Sequence, residues 1–237
     1  MSGPESNLRG VILAGGTGSR LFPLTKVTNK HLLPVGREPM IFHPVRKLLE
    51  AGITEILIVT GTEHMGDVVA LLGSGRELGC EFTYRVQDQA GGIAQALGLA
   101  RRFGRDGRIC VILGDNIFQS SIKPFGDEFR KQQAGAKILV QKVHDPGRYG
   151  VAVTEGDKVT KIIEKPKDPP SDLAVTGIYF YDEEVFNVID TLKPSGRGEL
   201  EITDVNNAYI ARGSLSWNAL PGWWTDAGTF PSLRQAN

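Results

Sequence analysis

The residues best suited to chemistry fall in a few short runs, and the first is a glycine loop closed by a cation. Gly15-Gly16-Thr17-Gly18-Ser19-Arg20 follows the apolar run Val11-Ile12-Leu13-Ala14. Three glycines in four residues leave backbone N–H groups open to a bulky anion, with no Cβ in the way. Arg20 adds a permanent charge with a fork matched to phosphate oxygens. Lys30 supplies a second cation ten residues later. Asp115 ends Ile112-Leu113-Gly114-Asp115, just past an apolar run, where an open α/β sheet faces its ligand crevice. Its carboxylate suits Mg²⁺, which takes one or two carboxylates together with phosphate oxygens. A turn or helix cap is the plainer reading of that aspartate alone. Asp226, in Trp223-Trp224-Thr225-Asp226-Ala227-Gly228-Thr229, and Lys165, in Glu164-Lys165-Pro166, read in isolation as turn residues.

Several chemistries are disfavoured. A Walker A loop needs Gly-Lys, a dipeptide found nowhere in the chain. A dinucleotide fingerprint needs a third glycine where Leu21 stands. His31, His43, His64 and His144 show no metal-ligand spacing. The 27 basic residues balance the 27 acidic ones, so nothing calls for nucleic acid or an anionic membrane as partner. No apolar run approaches the roughly 20 residues that span a bilayer. The start, MSGPESNLRG, lacks a signal-peptide core. Cys80 and Cys110 sit in or beside apolar runs, far apart, as reduced residues of a cytoplasmic protein would.

The elements that must position these groups alternate. Strands are expected at Val11–Ala14, Ile56–Val59, Phe82–Val86, Ile109–Leu113 and Lys137–Val143. Helices are expected at Met40–Ala51, near Asp67–Leu72, about Ile93–Phe103 and at Phe125–Ala134. This βαβα alternation argues for a mainly parallel sheet covered by helices. Later come short strands at Val151–Val153, Val159–Ile163, Ile178–Tyr181 and Leu215–Ala219. Helices at Asp182–Thr191 and Glu199–Arg212 lie between them. No linker or repeat interrupts the 237 residues. One domain is expected, with one half over about 1–143 and another over about 144–237.

The whole pattern resembles the sugar-1-phosphate nucleotidyltransferases. The glycine loop with Arg20, Asn29-Lys30 followed by Leu32-Leu33-Pro34-Val35, LGDN at 113–116, EKP at 164–166 and Asp226-Ala-Gly-Thr all appear in order. The resemblance implies a three-layer Rossmann-like α/β fold with a mainly parallel mixed sheet, its first half nucleotide-binding and its second half sugar-binding. It implies Asp115 and Asp226 as Mg²⁺ ligands, and Arg20, Lys30 and Lys165 as catalytic cations. Leu13, Gly15, Gly16, Gly18, Ser19, Gln87 and Gly92 would bind the nucleotide. Tyr149, Gly150, Glu164 and Val175 would bind the sugar. Gln87 carries a side-chain amide, with both donor and acceptor for the N3–H and carbonyl edge of thymine or uracil. Ala90-Gly91 stands where the thymidylyltransferase branch often has Pro-Asp, and Ala227 where it often has Thr.

Within the family the chain is most similar to the branch that uses dTTP and glucose 1-phosphate. The expected reaction gives dTDP-glucose and pyrophosphate by in-line displacement, in a dimer or tetramer. A UTP-dependent or other sugar-1-phosphate nucleotidyltransferase is the alternative. A non-catalytic subunit of the same fold would have lost one or more of Arg20, Asp115, Lys165 and Asp226, and all four are present. Only AGTFPSLRQAN follows Asp226. A short form is therefore expected, without the C-terminal extension that helps build a regulatory nucleotide site in longer relatives.

Overall fold

The computed structural model describes residues 8–237. The polar segment over residues 1–7, read above for a signal-peptide core, lies outside the described residues.

Strand β1 (Leu8–Ala14) shows why the fold is layered. Its run from Gly10 to Ala14 is entirely buried, so both faces need cover. Side chains alternate along it. Val11 and Leu13 face one apolar layer, and Ile12 and Ala14 face the other. The strands β4 (Glu55–Gly61), β5 (Glu81–Gln87) and β6 (Arg108–Leu113) join it in parallel, in the order β6-β1-β4-β5. The connecting helices fall on both faces. Helices α1 (Phe42–Glu50), α2 (Met65–Leu72) and α4 (Lys123–Lys131) pack on the side of Ile12. Helices α3 (Ile93–Gly98), α5 (Val185–Thr191) and α6 (Ile202–Ala211) cover the side of Val11. Three layers result, as expected.

The second part of the chain extends the same sheet. Strand β11 (Leu173–Tyr181) runs antiparallel between β6 and β8 (Ala136–Lys142), and β12 (Leu215–Ala219) pairs in parallel with β8. The hairpin β9 (Gly150–Glu155) and β10 (Lys158–Glu164) joins the first half of β11. The nine-stranded sheet is therefore mixed, parallel through β6-β1-β4-β5 and antiparallel around β11. The register of β11 shifts between Val175 and Tyr179. At that irregularity Thr176 Oγ1 donates to the Leu139 carbonyl at 2.9 Å, and Gly177 N–H turns to Asn116 Oδ1 at 2.9 Å.

Several elements differ from the sequence expectation. The helix expected over Ile93–Phe103 ends at Gly98. Beyond it Leu99, Ala100 and Arg101 donate to carbonyls three residues back, which tightens the chain into turns. The helix expected to reach Ala134 stops at Lys131, where Gln132 is extended. The helices expected from Asp182 and Glu199 begin at Val185 and Ile202. The strand expected from Ile178 begins at Leu173. Three small features escaped the apolar pattern altogether. They are the hairpin of β2 (Pro34–Val35) and β3 (Glu38–Pro39), the ribbon of β7 (Asn116–Phe118) and β13 (Trp224–Asp226), and the last helix α7 (Phe230–Ala236). Strands of two or three residues are too short to show a period, and the seven residues of α7 fully bury only Ser232.

Candidate active site

The C-terminal ends of β1, β5 and β6 open on a cavity of about 360 Å³, as a parallel sheet with this order dictates. Leu13, Gly15, Gly16 and Arg20 line one wall, and Lys30 and Asp115 stand at its base. Gly16 takes a left-handed φ of 93°, which a side chain would resist. The Arg20 guanidinium is exposed and lies close over Gly228, where an added Cβ would sit 2.9 Å from Nη2. Gly18 and Ser19 do not line the cavity. Gly18 shapes the loop instead. It is left-handed, φ 62°, and its carbonyl accepts from Thr25 Oγ1 at 2.7 Å and Leu21 N at 2.8 Å. Ser19 is exposed, with its carbonyl taking Phe22 N at 3.1 Å.

The two carboxylates are brought together by the β7–β13 ribbon. Asn116 pairs with Asp226 across it, and Ala227 N–H donates to the Asp115 carbonyl at 2.7 Å. Asn116, 2% exposed, is the joint. Its Nδ2 donates to Asp115 Oδ1 at 3.1 Å, while its Oδ1 accepts from Gly177 N at 2.9 Å and Trp224 Nε1 at 2.6 Å. Lys30 Nζ donates to Asp115 Oδ2 at 2.6 Å. Burial, the largest influence, opposes ionisation of Asp115, but the charge and hydrogen bond of Lys30, with His31 and the hydrogen bond from Asn116, together hold the carboxyl well below the usual range. His31 contributes only in acid, where it is charged. Burial, then the Lys30 charge, push its pKa down to about 3, so the ring is neutral at neutral pH. Its Nδ1 pairs with Asn29 Oδ1 at 2.7 Å, and its edge packs against Gly114. Asp226 moves the other way: burial, then the Asp115 charge, raise its pKa. Arg148 Nη2 at 3.1 Å and Tyr149 OH at 3.0 Å donate to Asp226 Oδ1. Two oxygen-rich, mutually repelling carboxylates of this kind suit a hard divalent cation whose remaining positions are filled by phosphate and water.

Gln87 and Gly92 lie side by side at the far end of the glycine-loop wall. Gln87 Nε2 donates to Gln95 Oε1 at 2.5 Å and to the Gly92 carbonyl at 3.3 Å. A carbonyl only accepts, so the amide orientation is settled and Oε1 is left as an outward acceptor. That oxygen would sit 2.6 Å from a Cβ on Gly15. Gly92 (φ 97°) starts α3 and presses against Leu200, whose carbonyl would be 2.5 Å from an added Cβ. Leu200 N–H donates to the Gly91 carbonyl at 2.8 Å, and Ala94 N–H to the Leu200 carbonyl at 3.1 Å. The two parts of the chain are pinned together there.

The opposite wall carries Tyr149, Gly150, Glu164, Lys165 and Val175. Lys165 takes a left-handed φ of 43° just before Pro166, a rare conformation for a non-glycine residue. Its N–H still donates to the Tyr149 carbonyl at 2.9 Å, so the ladder holds while the side chain turns out of it. Nζ stands 3.6 Å from Glu164 Oε1. Thr203 Oγ1 donates to Glu164 Oε2 at 2.6 Å. Arg197 was not foreseen. Its Nη2 reaches Glu201 Oε2 at 2.8 Å, Glu164 Oε1 at 3.3 Å and Glu199 Oε2 at 3.6 Å. A lone arginine between Gly196 and Gly198, just ahead of two glutamates, was the available signal. Arg148, Tyr179, Thr203, Asn206 and Trp224 also line the cavity, and nothing local in the sequence sets them apart.

Three comparisons bear on this arrangement. The sequence profile of the nucleotidyl transferase family matches residues 9–237. A glucose-1-phosphate thymidylyltransferase of Neisseria meningitidis serogroup A is 42% identical over 97% of this chain and 81% of its own length. A Bacillus anthracis protein assigned as a glucose-1-phosphate thymidylyltransferase, crystallised with sucrose, is 63% identical. It superposes with a TM-score of 0.94 over 97% of this chain and 94% of its own. A UDP-glucose pyrophosphorylase complexed with UDP-glucose superposes with a TM-score of 0.85 at 26% identity, over 96% of each chain.

Proposed function

The chain belongs to the nucleotidyl transferase family, and on that premise we propose that it joins dTTP and glucose 1-phosphate into dTDP-glucose and pyrophosphate. The observation that carries this reading is the placement of two carboxylates between separate cationic walls of one cavity. The names of the Neisseria and Bacillus relatives support the same substrates. All 237 residues are taken as one nucleotidyltransferase domain.

A phosphate oxygen of glucose 1-phosphate attacks the α-phosphorus of dTTP. The new P–O bond forms as the bond to the bridging α,β oxygen breaks, and pyrophosphate leaves with that electron pair. The nucleophile is already ionised at neutral pH, so no general base is needed. Catalysis is positioning plus charge neutralisation. Arg20 and the amides of the glycine loop hold the leaving phosphates. Lys30 leaves its contact with Asp115 to meet the triphosphate. Lys165, with Arg197 near it, aligns the incoming sugar phosphate, and Glu164, Tyr149, Gly150 and Val175 frame the sugar. Asp115 and Asp226 would hold Mg²⁺, which supplies charge neutralisation at the α-phosphate when bound.

Base choice follows from Gln87. Its free Oε1 accepts a hydrogen bond from the N3–H of thymine or uracil, and it faces a lone pair on the N3 of cytosine or the N1 of adenine. The thymine methyl is worth about 0.8 kcal/mol if fully buried, so dTTP is favoured and UTP is used at a modest penalty. Pyrophosphate release from a panel of nucleoside triphosphates and sugar 1-phosphates with Mg²⁺ tests the proposal. Preference for ATP, GTP or CTP, or no release with any sugar 1-phosphate, would overturn it. A cytoplasmic location is part of this proposal, and the two free cysteines support it. Among the described residues no helix is long and apolar enough to cross a membrane. The enzyme acts as a homo-oligomer, dimer or tetramer. Phe22, Leu24 and Val27, exposed together on one loop, support that reading, and sedimentation checks it.

A further inference from the structure

The floor of the cavity at its sugar end is built by α6 and the inner face of β11. Asn206 of α6 lines it and is 1% exposed. Tyr181 OH donates to Asn206 Oδ1 at 2.6 Å. The other end of the amide, Nδ2, is buried and has no hydrogen-bond partner. Turning the amide over only exchanges which end is left without one. An unmade hydrogen bond on a buried polar atom is destabilising, and native proteins keep few of them without a reason. Tyr179 lines the same floor, 3% exposed, with its ring stacked on that of Tyr181 at 5.9 Å. Its hydroxyl makes no hydrogen bond among the described residues. The polar groups of the adjoining wall are already committed, Thr203 to Glu164 and Arg197 to Glu201.

Asn206 borders the cavity and Tyr181 occupies the Oδ1 end of its amide, so the cavity is the open side for a partner. A hydroxyl answers an amide in either orientation, since it both donates and accepts. We propose that Asn206, with the Tyr179 hydroxyl near it, is a specificity-determining residue that hydrogen-bonds one ring hydroxyl of the sugar, across at most one trapped water. The inference rests on the reaction proposed above and adds a means of sugar selection to it. A site built to bond a hydroxyl rejects the analogue lacking it more strongly than an apolar pocket does, because the site's own polar atom is then stranded.

Calorimetric binding of dTDP-glucose and of dTDP tests the idea without relying on turnover. The double variant Asn206→Leu/Tyr181→Phe removes both partners together and strands neither. In it dTDP-glucose should bind about 5- to 10-fold more weakly, the worth of one hydrogen bond, while dTDP binds as before. Among monodeoxy analogues of glucose 1-phosphate, one should suffer with the wild-type enzyme and be indifferent to the double substitution. Equal weakening of dTDP and dTDP-glucose, or of neither, would overturn the assignment. If wild-type protein binds neither ligand, the reaction itself is wrong and the proposal falls with it.

Discussion

Asn116→Asp exchanges an NH₂ group for an oxygen and leaves the shape of the side chain alone. The two bonds accepted by Oδ1, from Gly177 N and Trp224 Nε1, survive the exchange. The bond donated to Asp115 Oδ1 at 3.1 Å becomes a contact between two carboxyl groups. Lys30 keeps Asp115 ionised, so the introduced carboxyl is the one held protonated, with its pKa raised by burial and by its neighbour. Each unit of rise costs about 1.4 kcal/mol at a pH above the folded value. A rise of about two units from the ~3.9 of an unfolded aspartate therefore costs about 3 kcal/mol near neutrality. An acid with a raised folded pKa is deprotonated first in the unfolded chain. The penalty is thus absent below about pH 4, grows with pH, and levels off above about pH 6. Urea unfolding of both proteins at intervals between pH 4 and pH 8 measures it directly. A loss of stability that does not change with pH, or one below about 0.5 kcal/mol throughout, would refute the role given to Asn116 as the donor to Asp115.

Two further outcomes follow from the same geometry. Asp226→Asn still accepts from Tyr149 and Arg148, so the melting temperature should move little while turnover falls by orders of magnitude; a folded variant with normal turnover would remove Asp226 from the metal site. Gly92→Ala would set a Cβ 2.5 Å from the Leu200 carbonyl at a φ of 97°, and should cost about 2 kcal/mol or more with a raised KM for the nucleotide. Wild-type stability in that variant, measured by denaturant unfolding, would show that Gly92 and Leu200 are not pressed together.

The amino-acid sequence alone was enough for the main elements, which depend on neighbours within a few residues, though not for all of their ends. The buried run Val11–Ala14, the glycines after it, and the acids and lysines at strand ends are local patterns, and local patterns set strand, loop and layer order. That is why Arg20 and Asp115 stand out in a loop and at a strand end, whereas Lys165 and Asp226 are singled out only by the resemblance to the family. Their relations could not be read. Asp115 meets Asp226 only because a three-residue ribbon, too short to carry a period, pairs Asn116 with it. The direction in which Gln87 presents its amide depends on Gln95 and on a carbonyl of Gly92. Arg197 gathers Glu164 and Glu201 from different elements, and Asn206 spends its Oδ1 on Tyr181 from β11 and is left with an unpartnered Nδ2. Hydrogen bonds and ion pairs act over about 3 Å, and which side chains come that close is decided by strand register and helix docking between residues distant along the chain. Only the tertiary structure holds that information.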